Sequence, residues 1–128
     1  MNEYMFFIRK QKNSKDNLPA DVHLQFLKSC ESYIADLKKK NLLISAQPID
    51  WKGKIISGKN ESWNETAFDE AGEVIGGYYH ILAKSLEEAV EIAKGNPEFK
   101  FNPGTRIEVR PIKMKEHETE FVYPTKHV

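Results

Sequence analysis

Three consecutive segments predict the fold, and the first of them is Gly-Glu-Val-Ile-Gly-Gly-Tyr-Tyr-His-Ile-Leu-Ala-Lys at residues 72–84. Ser-Leu-Glu-Glu-Ala-Val-Glu-Ile-Ala-Lys-Gly-Asn-Pro follows at residues 85–97, and Thr-Arg-Ile-Glu-Val-Arg-Pro at residues 105–111. The outer two segments have the alternating pattern of strands. In the middle one, Ser85 and Glu88 form a capping box, and Gly95 suits the left-handed residue that ends a helix. The order is therefore strand, helix, strand.

The two strands predict a sheet with very different faces, because successive side chains point to opposite sides. The side that we expect under the helix carries Tyr79, Ile81, Ala83, Ile107 and Val109. The other side carries Tyr78, His80, Arg106, Glu108 and Arg110. Aromatic, imidazole and charged side chains are seldom found together in the middle of a sheet. This second face is therefore expected to be an oligomer interface or the wall of a pocket.

Composition limits the classes of function. The chain has 128 residues, of which 30% are charged, and its net charge is +0. We expect one domain and no broad basic surface for nucleic acid or an acidic membrane. No apolar run approaches the roughly 20 residues that span a bilayer, and the N-terminus does not resemble a secretory signal. Cys30 is the only cysteine, which favours a reducing compartment and a cytoplasmic location.

The rest of the chain predicts further elements on both sides of these segments. A strand is expected at Tyr4–Arg9, an amphipathic helix at Ala20–Lys40 and a strand at Leu42–Gln47. We expect Gly53–Ser57 to pair back on that strand as a hairpin. The polar stretch Lys59–Glu73 is interpreted as a long irregular loop. A short extra strand is expected at Glu120–Tyr123.

Taken in order, the main elements give an α+β chain with the ferredoxin-like plan, strand-helix-strand-strand-helix-strand, in which two helices cover one face of a four-stranded antiparallel sheet. We expect residues 1–112 to form this domain and residues 113–128 to be a C-terminal extension. Dimerisation of sheet against sheet would cover the face away from the helices. A homodimer is therefore expected.

Several motifs resemble the YCII-related family, in its DGPF branch. They are Tyr-Met-Phe-Phe-Ile at residues 4–8, Pro19, Leu-Leu-Ile-Ser-Ala at 42–46, Phe-Asp-Glu-Ala-Gly-Glu-Val-Ile-Gly-Gly-Tyr-Tyr at 68–79 and Glu-Val-Arg-Pro at 108–111. The resemblance implies a dimeric α+β barrel with a cleft near the sheet face, and no established reaction. Where the branch has Asp-Gly-Pro-Phe, this chain has Glu65-Thr-Ala-Phe68. The histidine that the family places on the first helix would fall at about Cys30, which we interpret as a small core residue.

His80 and Arg110 are the first candidate site residues, because both lie on the face away from the helices. Neutral histidine can relay a proton near pH 7, and arginine can hold a carboxylate or stabilise an enolate. We expect Arg110 to emerge on a strand next to His80. The structural alternative is that His80, Glu108 and Arg110 make hydrogen bonds in a dimer interface.

Four further residues complete the candidate set. His23 lies on the apolar stripe of the first helix, where a histidine is either a base or a satisfied boundary residue. Glu65 would assist catalysis as a loop carboxylate, and the alternative is a solvated side chain. Tyr78 and Phe68 would contact a ligand in the cleft, although Phe68 could equally plug the edge of the sheet. No phosphate loop, nucleotide fingerprint or metal-ligand spacing is present, so no cofactor and no metal are predicted.

Two functional hypotheses follow. In the first, a homodimeric enzyme performs acid–base chemistry on a small polar organic molecule. His80 or His23 moves the proton, Glu65 assists and Arg110 holds an anionic group. In the second, the same cleft belongs to a non-catalytic homodimeric module that binds a ligand or a protein. The enzyme hypothesis requires a histidine and a carboxylate within hydrogen-bonding distance in a pocket.

Overall fold

The computed structural model describes residues 1–11, 18–67 and 72–125. Its elements in chain order are β1 (Asn2–Gln11), α1 (Ala20–Lys39), β2 (Leu43–Pro48), β3 (Ile55–Lys59), β4 (Ser62–Thr66), β5 (Glu73–Ala83), α2 (Leu86–Lys94), α3 (Glu98–Phe101) and β6 (Arg106–Pro111). Within the described residues, no helix has both the length and the apolar character that a membrane crossing requires.

The main sheet has four strands in the order β2-β5-β1-β6, and each pair of neighbouring strands is antiparallel. With two longer helices between the strands, this is the predicted ferredoxin-like topology, and the α+β prediction is confirmed. The β1–β5 pairing is the longest, from Asn2 opposite Ala83 to Gln11 opposite Glu73. A register shift after Ile8 interrupts it once.

Both longer helices pack on the same side of this sheet. The core contains Tyr4, Phe6 and Ile8 of β1, Tyr79, Ile81 and Ala83 of β5, Leu37 of α1, and Ala89 and Ala93 of α2. Ile107 and Val109 of β6 pack against it. The predicted position of Tyr79, Ile81, Ala83, Ile107 and Val109 on the helix side of the sheet is therefore confirmed.

Local capping explains where the helices begin and end. The Ser85 hydroxyl accepts a hydrogen bond from the Glu88 N–H at 3.2 Å, as the capping box predicts. Gly95 does not adopt the expected left-handed conformation, because its φ is −80°. At the end of α1 that conformation belongs to Asn41, with a φ of 59°, and the next N–H, that of Leu42, donates to the Leu37 carbonyl at 2.9 Å.

The predicted pairing of Gly53–Ser57 with the second strand is wrong. β3 pairs instead with β4, and together they form a separate two-stranded hairpin. The turn consists of Asn60 and Glu61, with φ values of 53° and 67°. Positive φ at both residues is what a two-residue hairpin turn needs to match the right-handed twist of its strands. An Asn-Glu pair lacks the glycine that usually marks such a turn, so the interpretation of Lys59–Glu73 as a wholly irregular loop also missed β4.

Two shorter features differ from the predictions near the C-terminus. The helix α3 was not predicted, and it follows Pro97 directly. The strand expected at Glu120–Tyr123 is reduced to a single bridge between Lys115 and Val122.

Substitution of Phe6 tests how much this core contributes to stability. Its side chain is fully buried, so Phe6→Ala should lower the free energy of unfolding by about 3–5 kcal/mol. Phe121→Ala is the matched control, because Phe121 is half exposed and packs mainly on Tyr123, and we expect a loss below about 1 kcal/mol. Urea denaturation followed by circular dichroism measures both values. Similar losses for the two variants would contradict this description of the core.

Candidate functional site

The candidate site lies on the side of the main sheet away from α1 and α2, which we call the open face. Alternation along the strands brings together here the side chains of Glu3, Met5, Phe7 and Arg9 from β1, Glu73, Ile75, Tyr78 and His80 from β5, and Arg106, Glu108 and Arg110 from β6. Because the helix side takes most of the apolar core residues, this face carries the histidine, the arginines and the glutamates of the three strands.

His80 and Glu3 are in direct contact. The Nε2 atom of His80 is 2.7 Å from the Oε1 atom of Glu3, and the two side chains are only 18% and 12% exposed. In the β1–β5 ladder His80 lies opposite Met5, and Glu3 is the next residue of β1 on the same face. A carboxylate on an imidazole fixes the orientation of the ring and stabilises the imidazolium that forms during proton transfer.

A ladder of ion pairs occupies the other end of the open face. Glu73 accepts hydrogen bonds from Arg106, at 2.9 and 2.7 Å, and from Arg9 at 2.7 Å. Arg9 also donates to Glu108 at 2.9 Å, and Arg110 lies 3.7 Å from the same carboxylate. The hydrogen bonds from Arg106 and Arg9 lower the pKa of Glu73 to about 2. Glu73 therefore remains an anion at neutral pH and keeps its ion pairs with Arg9 and Arg106.

An apolar cleft of about 500 Å³ opens on this face. It is lined by Met5, Phe7, Ile49, Ile55, Glu73, Val74, Ile75 and Tyr78. Met5 and Tyr78 connect the cleft to the His80–Glu3 pair, because Met5 lies opposite His80 and Tyr78 is the neighbour of His80 on the same face. The cleft thus combines an apolar wall with a nearby imidazole–carboxylate pair, the usual composition of a small-molecule site.

The structure brings only part of the predicted site together. Tyr78 lines the cleft and His80 borders it. The expectation that Arg110 emerges on a strand next to His80 is wrong, because β1 lies between their strands and Met5 faces both residues. Two strand spacings, about 10 Å, therefore separate them.

Of the remaining predicted residues, His23 and Glu65 do not line the cleft. His23 is an exposed residue of α1, on the opposite side of the sheet, with its ring 6.2 Å from that of Phe26. Glu65 is an exposed residue of β4, and its carboxylate is 3.3 Å from the Lys54 ammonium group. Phe68 lies outside the described residues.

Glu3 is the functional candidate that the sequence interpretation missed. The first strand was predicted to begin at Tyr4, whereas β1 begins at Asn2. Extending the alternation of Met5 and Phe7 by one step would have placed Glu3 on their face. Its contact with His80 still required the register between strands 77 residues apart.

Cys30 has the properties of a structural residue. It is half buried, and burial, with a smaller contribution from Glu98, raises the pKa of its thiol to about 11. The protonated thiol is a poor nucleophile at neutral pH. Within the described part of the chain, no cluster of three or more histidine, cysteine, aspartate or glutamate side chains is arranged to hold a metal ion.

Comparisons with known proteins address family and fold. The sequence model of the YCII-related domain matches residues 3–113. No curated protein matches the chain. A solved structure with a similar chain is a 5-chloro-2-hydroxyhydroquinone dehydrochlorinase from Burkholderia phenoliruptrix, at 16% identity over 93% of this chain and 99% of that one, with a TM-score of 0.44. A de novo designed protein with the ferredoxin fold is similar at 10% identity over 100% and 98% of the two chains, with a TM-score of 0.38.

The ion-pair ladder should make the stability of the fold depend on pH in the acidic range. Because the folded-state pKa of Glu73 lies below its usual 4.5, its carboxylate contributes stability that is present above about pH 4.5 and is lost as the pH falls toward 2. Arg106→Gln removes the largest cause, so the pKa of Glu73 should rise toward 4.5. Carboxyl ¹³C NMR titration measures it. Arg110→Gln is the control, since Arg110 contacts Glu108 rather than Glu73, and it should leave this pKa at about 2.

Proposed function

The chain belongs to the YCII-related family, and from this premise we propose that it is a homodimeric enzyme that moves a proton to or from a small polar organic molecule bound on the open face. The observation that carries the proposal is the 2.7 Å contact between His80 and Glu3, both largely shielded from solvent, at the border of the 500 Å³ cleft. A histidine and a carboxylate at this distance meet the geometric requirement for acid–base catalysis.

In this proposal His80 is the group that exchanges a proton with the substrate. Glu3 acts through His80 as a positioning residue, because its carboxylate accepts a hydrogen bond from the ring and so fixes the orientation of the ring. Proton transfer at one carbon or oxygen atom is common to elimination, isomerisation and hydrolysis, so any of these reaction types fits a single imidazole.

The cleft would hold the apolar part of the substrate beside this pair. Phe7 and Tyr78 supply aromatic surface, and Met5 lies between the cleft and the imidazole. Arg110 would bind an anionic group at the far side of Met5, because its side chain is about two-thirds exposed and its contact with Glu108 is long, at 3.7 Å. A substrate with an acidic group several atoms away from its reacting centre would span this distance.

The alternative, a non-catalytic homodimeric module that binds a ligand or a protein, is favoured by one observation. Four of the five charged groups in the ladder, Arg9, Glu73, Arg106 and Glu108, are paired with one another at 2.7–2.9 Å. Charges that are already paired serve structure rather than a substrate. The His80–Glu3 pair lies outside this ladder, which is why we favour the enzyme.

Turnover by matched histidine variants tests the enzymatic role. A panel of small organic acids with an acidic C–H bond or a leaving group is screened with the wild type, His80→Ala and His23→Ala. His80→Ala should lower kcat by about 10²–10⁴-fold, the usual contribution of general acid–base catalysis. His23→Ala should keep the wild-type rate, because His23 lies on the opposite side of the sheet. Equal turnover by the wild type and His80→Ala would remove His80 from the mechanism.

Sedimentation tests the homodimer separately. A second copy packed on the open face would cover Met5, Phe7 and Tyr78, so Phe7→Glu should convert a dimer into a monomer in analytical ultracentrifugation because it would bury an unpaired charge. Leu24→Glu is the control on the exposed side of α1 and should leave the dimer intact. A wild-type monomer at high protein concentration would contradict this part of the proposal.

A further inference from the structure

The β3–β4 hairpin presents large apolar side chains to solvent. Every residue of its two strands is exposed. Among them, Ile56 is 66% exposed and Trp63 is 71% exposed. We propose that this hairpin is a dimerisation arm, which docks on the open face of a second copy of the chain and adds Trp63 to the rim of that copy's cleft.

The two faces of the hairpin point in different directions. In its ladder Ile56 lies opposite Glu65 and Gly58 lies opposite Trp63, so these four residues share one face, which we call the outer face. Ile55 belongs to the other face, and it lines the cleft of its own chain. The outer face therefore points away from that cleft, and the surface that covers Trp63 is expected on another molecule.

The position of the Trp63 ring is set within the hairpin. Gly58 has no side chain, and a Cβ atom added there would lie 2.3 Å from the Cε3 atom of Trp63. The indole thus lies across the opposite strand, and Ile56 is its diagonal neighbour on the outer face. An aromatic side chain that is placed in advance binds a surface with little further loss of entropy.

A hairpin of this kind needs a surface on which to pack. An isolated two-stranded hairpin is at best marginally stable in water. A tryptophan buries about 150–250 Å² when it is covered, and tryptophan is among the residues that contribute most to protein interfaces. An exposed Trp63 on a hairpin whose residues are all exposed therefore indicates an interface.

The open face of a second copy has a surface that is complementary to an indole. The wall of the cleft is mostly apolar, and Ile75 in this wall is 42% exposed. Arg106 adjoins the wall, because it donates hydrogen bonds at 2.9 and 2.7 Å to Glu73, which lines the cleft. The Arg106 side chain is 68% exposed, and a guanidinium group is attracted to the face of an indole. We therefore place the partner's Trp63 against Ile75 and Arg106.

Two-fold symmetry supports a second copy of this chain as the partner. In a C2 dimer both copies use the same patch, so a projection and a recess that lie side by side on one chain each meet their counterpart on the other. Here the hairpin lies beside the cleft, because Ile55 belongs to both. Each hairpin then lies between two sheets, with Ile55 on its own cleft and Trp63 on the other. The inference rests on the homodimer of the proposed function and adds that each cleft is complete only with the partner's Trp63.

Isotope-mixed NMR detects this contact directly. One preparation is deuterated and carries protonated, ¹³C-labelled isoleucine δ1-methyl groups. The other is deuterated, carries protonated tryptophan and has the substitution Trp51→Phe, so that Trp63 is its only tryptophan. In an equal mixture we expect nuclear Overhauser effects between the Trp63 indole and the Ile75 methyl group. Ile8 and Ile34, on the helix side of the sheet, should show none.

The affinity of the dimer is an independent measurement that leaves Trp51 in place. Trp63→Ala should raise the Kd of the dimer at least roughly tenfold in analytical ultracentrifugation, as expected for a tryptophan at the centre of an interface. Because Trp63 is exposed, this variant should fold, which circular dichroism checks. Phe121→Ala is the matched control, since Phe121 is a half-exposed aromatic residue outside the hairpin, and it should keep the wild-type Kd.

The outcomes distinguish this inference from the proposed function. A dimer that lacks the signal between Trp63 and Ile75, or that keeps its Kd in Trp63→Ala, would overturn the dimerisation arm and leave the homodimer in place. A wild-type monomer would overturn the arm and the homodimer together. In either case the His80→Ala assay decides the enzymatic role separately.

Discussion

The pairing of β1 with β5 is the interaction on which the rest of the structure depends. These two strands form the centre of the sheet, and their register places Phe6 opposite Tyr79 and Tyr4 opposite Ile81, all within the core. A slip of one residue would exchange the faces of a strand and turn its core side chains toward the open face. The same register that buries the aromatic core therefore also brings Glu3 next to His80, so fold and candidate site have one origin.

A face that carries so many ionisable groups is stable because the charges are arranged in alternating order. Arg106, Glu73, Arg9, Glu108 and Arg110 follow one another as cation and anion, and each carboxylate lies between two guanidinium groups. Planar guanidinium groups can bind more than one carboxylate oxygen in fixed geometry, which suits such a ladder. Most of the charges in the ladder are therefore paired with one another. The His80–Glu3 pair lies outside this ladder, and Arg110 at the end of the ladder makes its longest contact, at 3.7 Å.

The sheet also separates two environments that are only one strand layer apart. On the open face, the cleft adjoins an imidazole that can exchange protons. On the helix side, the Lys10–Glu98 ion pair lies near Tyr79, and burial raises the pKa of the Tyr79 hydroxyl to about 12. Strand alternation alone creates this difference, because successive side chains of one strand point to opposite faces.

The sequence by itself determined the elements and their faces. The Ser85 cap, the alternation of residues 78–83 and 106–110 and the order of strands and helices all express local preferences, and they were enough to predict the ferredoxin-like sheet and the place of Tyr78 and His80 on its open face. Only the tertiary structure decided which side chains meet. The partnership of Glu3 with His80, the separation of Arg110 from His80 by β1 and the pairing of β3 with β4 depend on strand register and on a turn without glycine. Periodicity fixes the direction in which a side chain points, but its neighbour across the sheet is chosen by packing between distant segments.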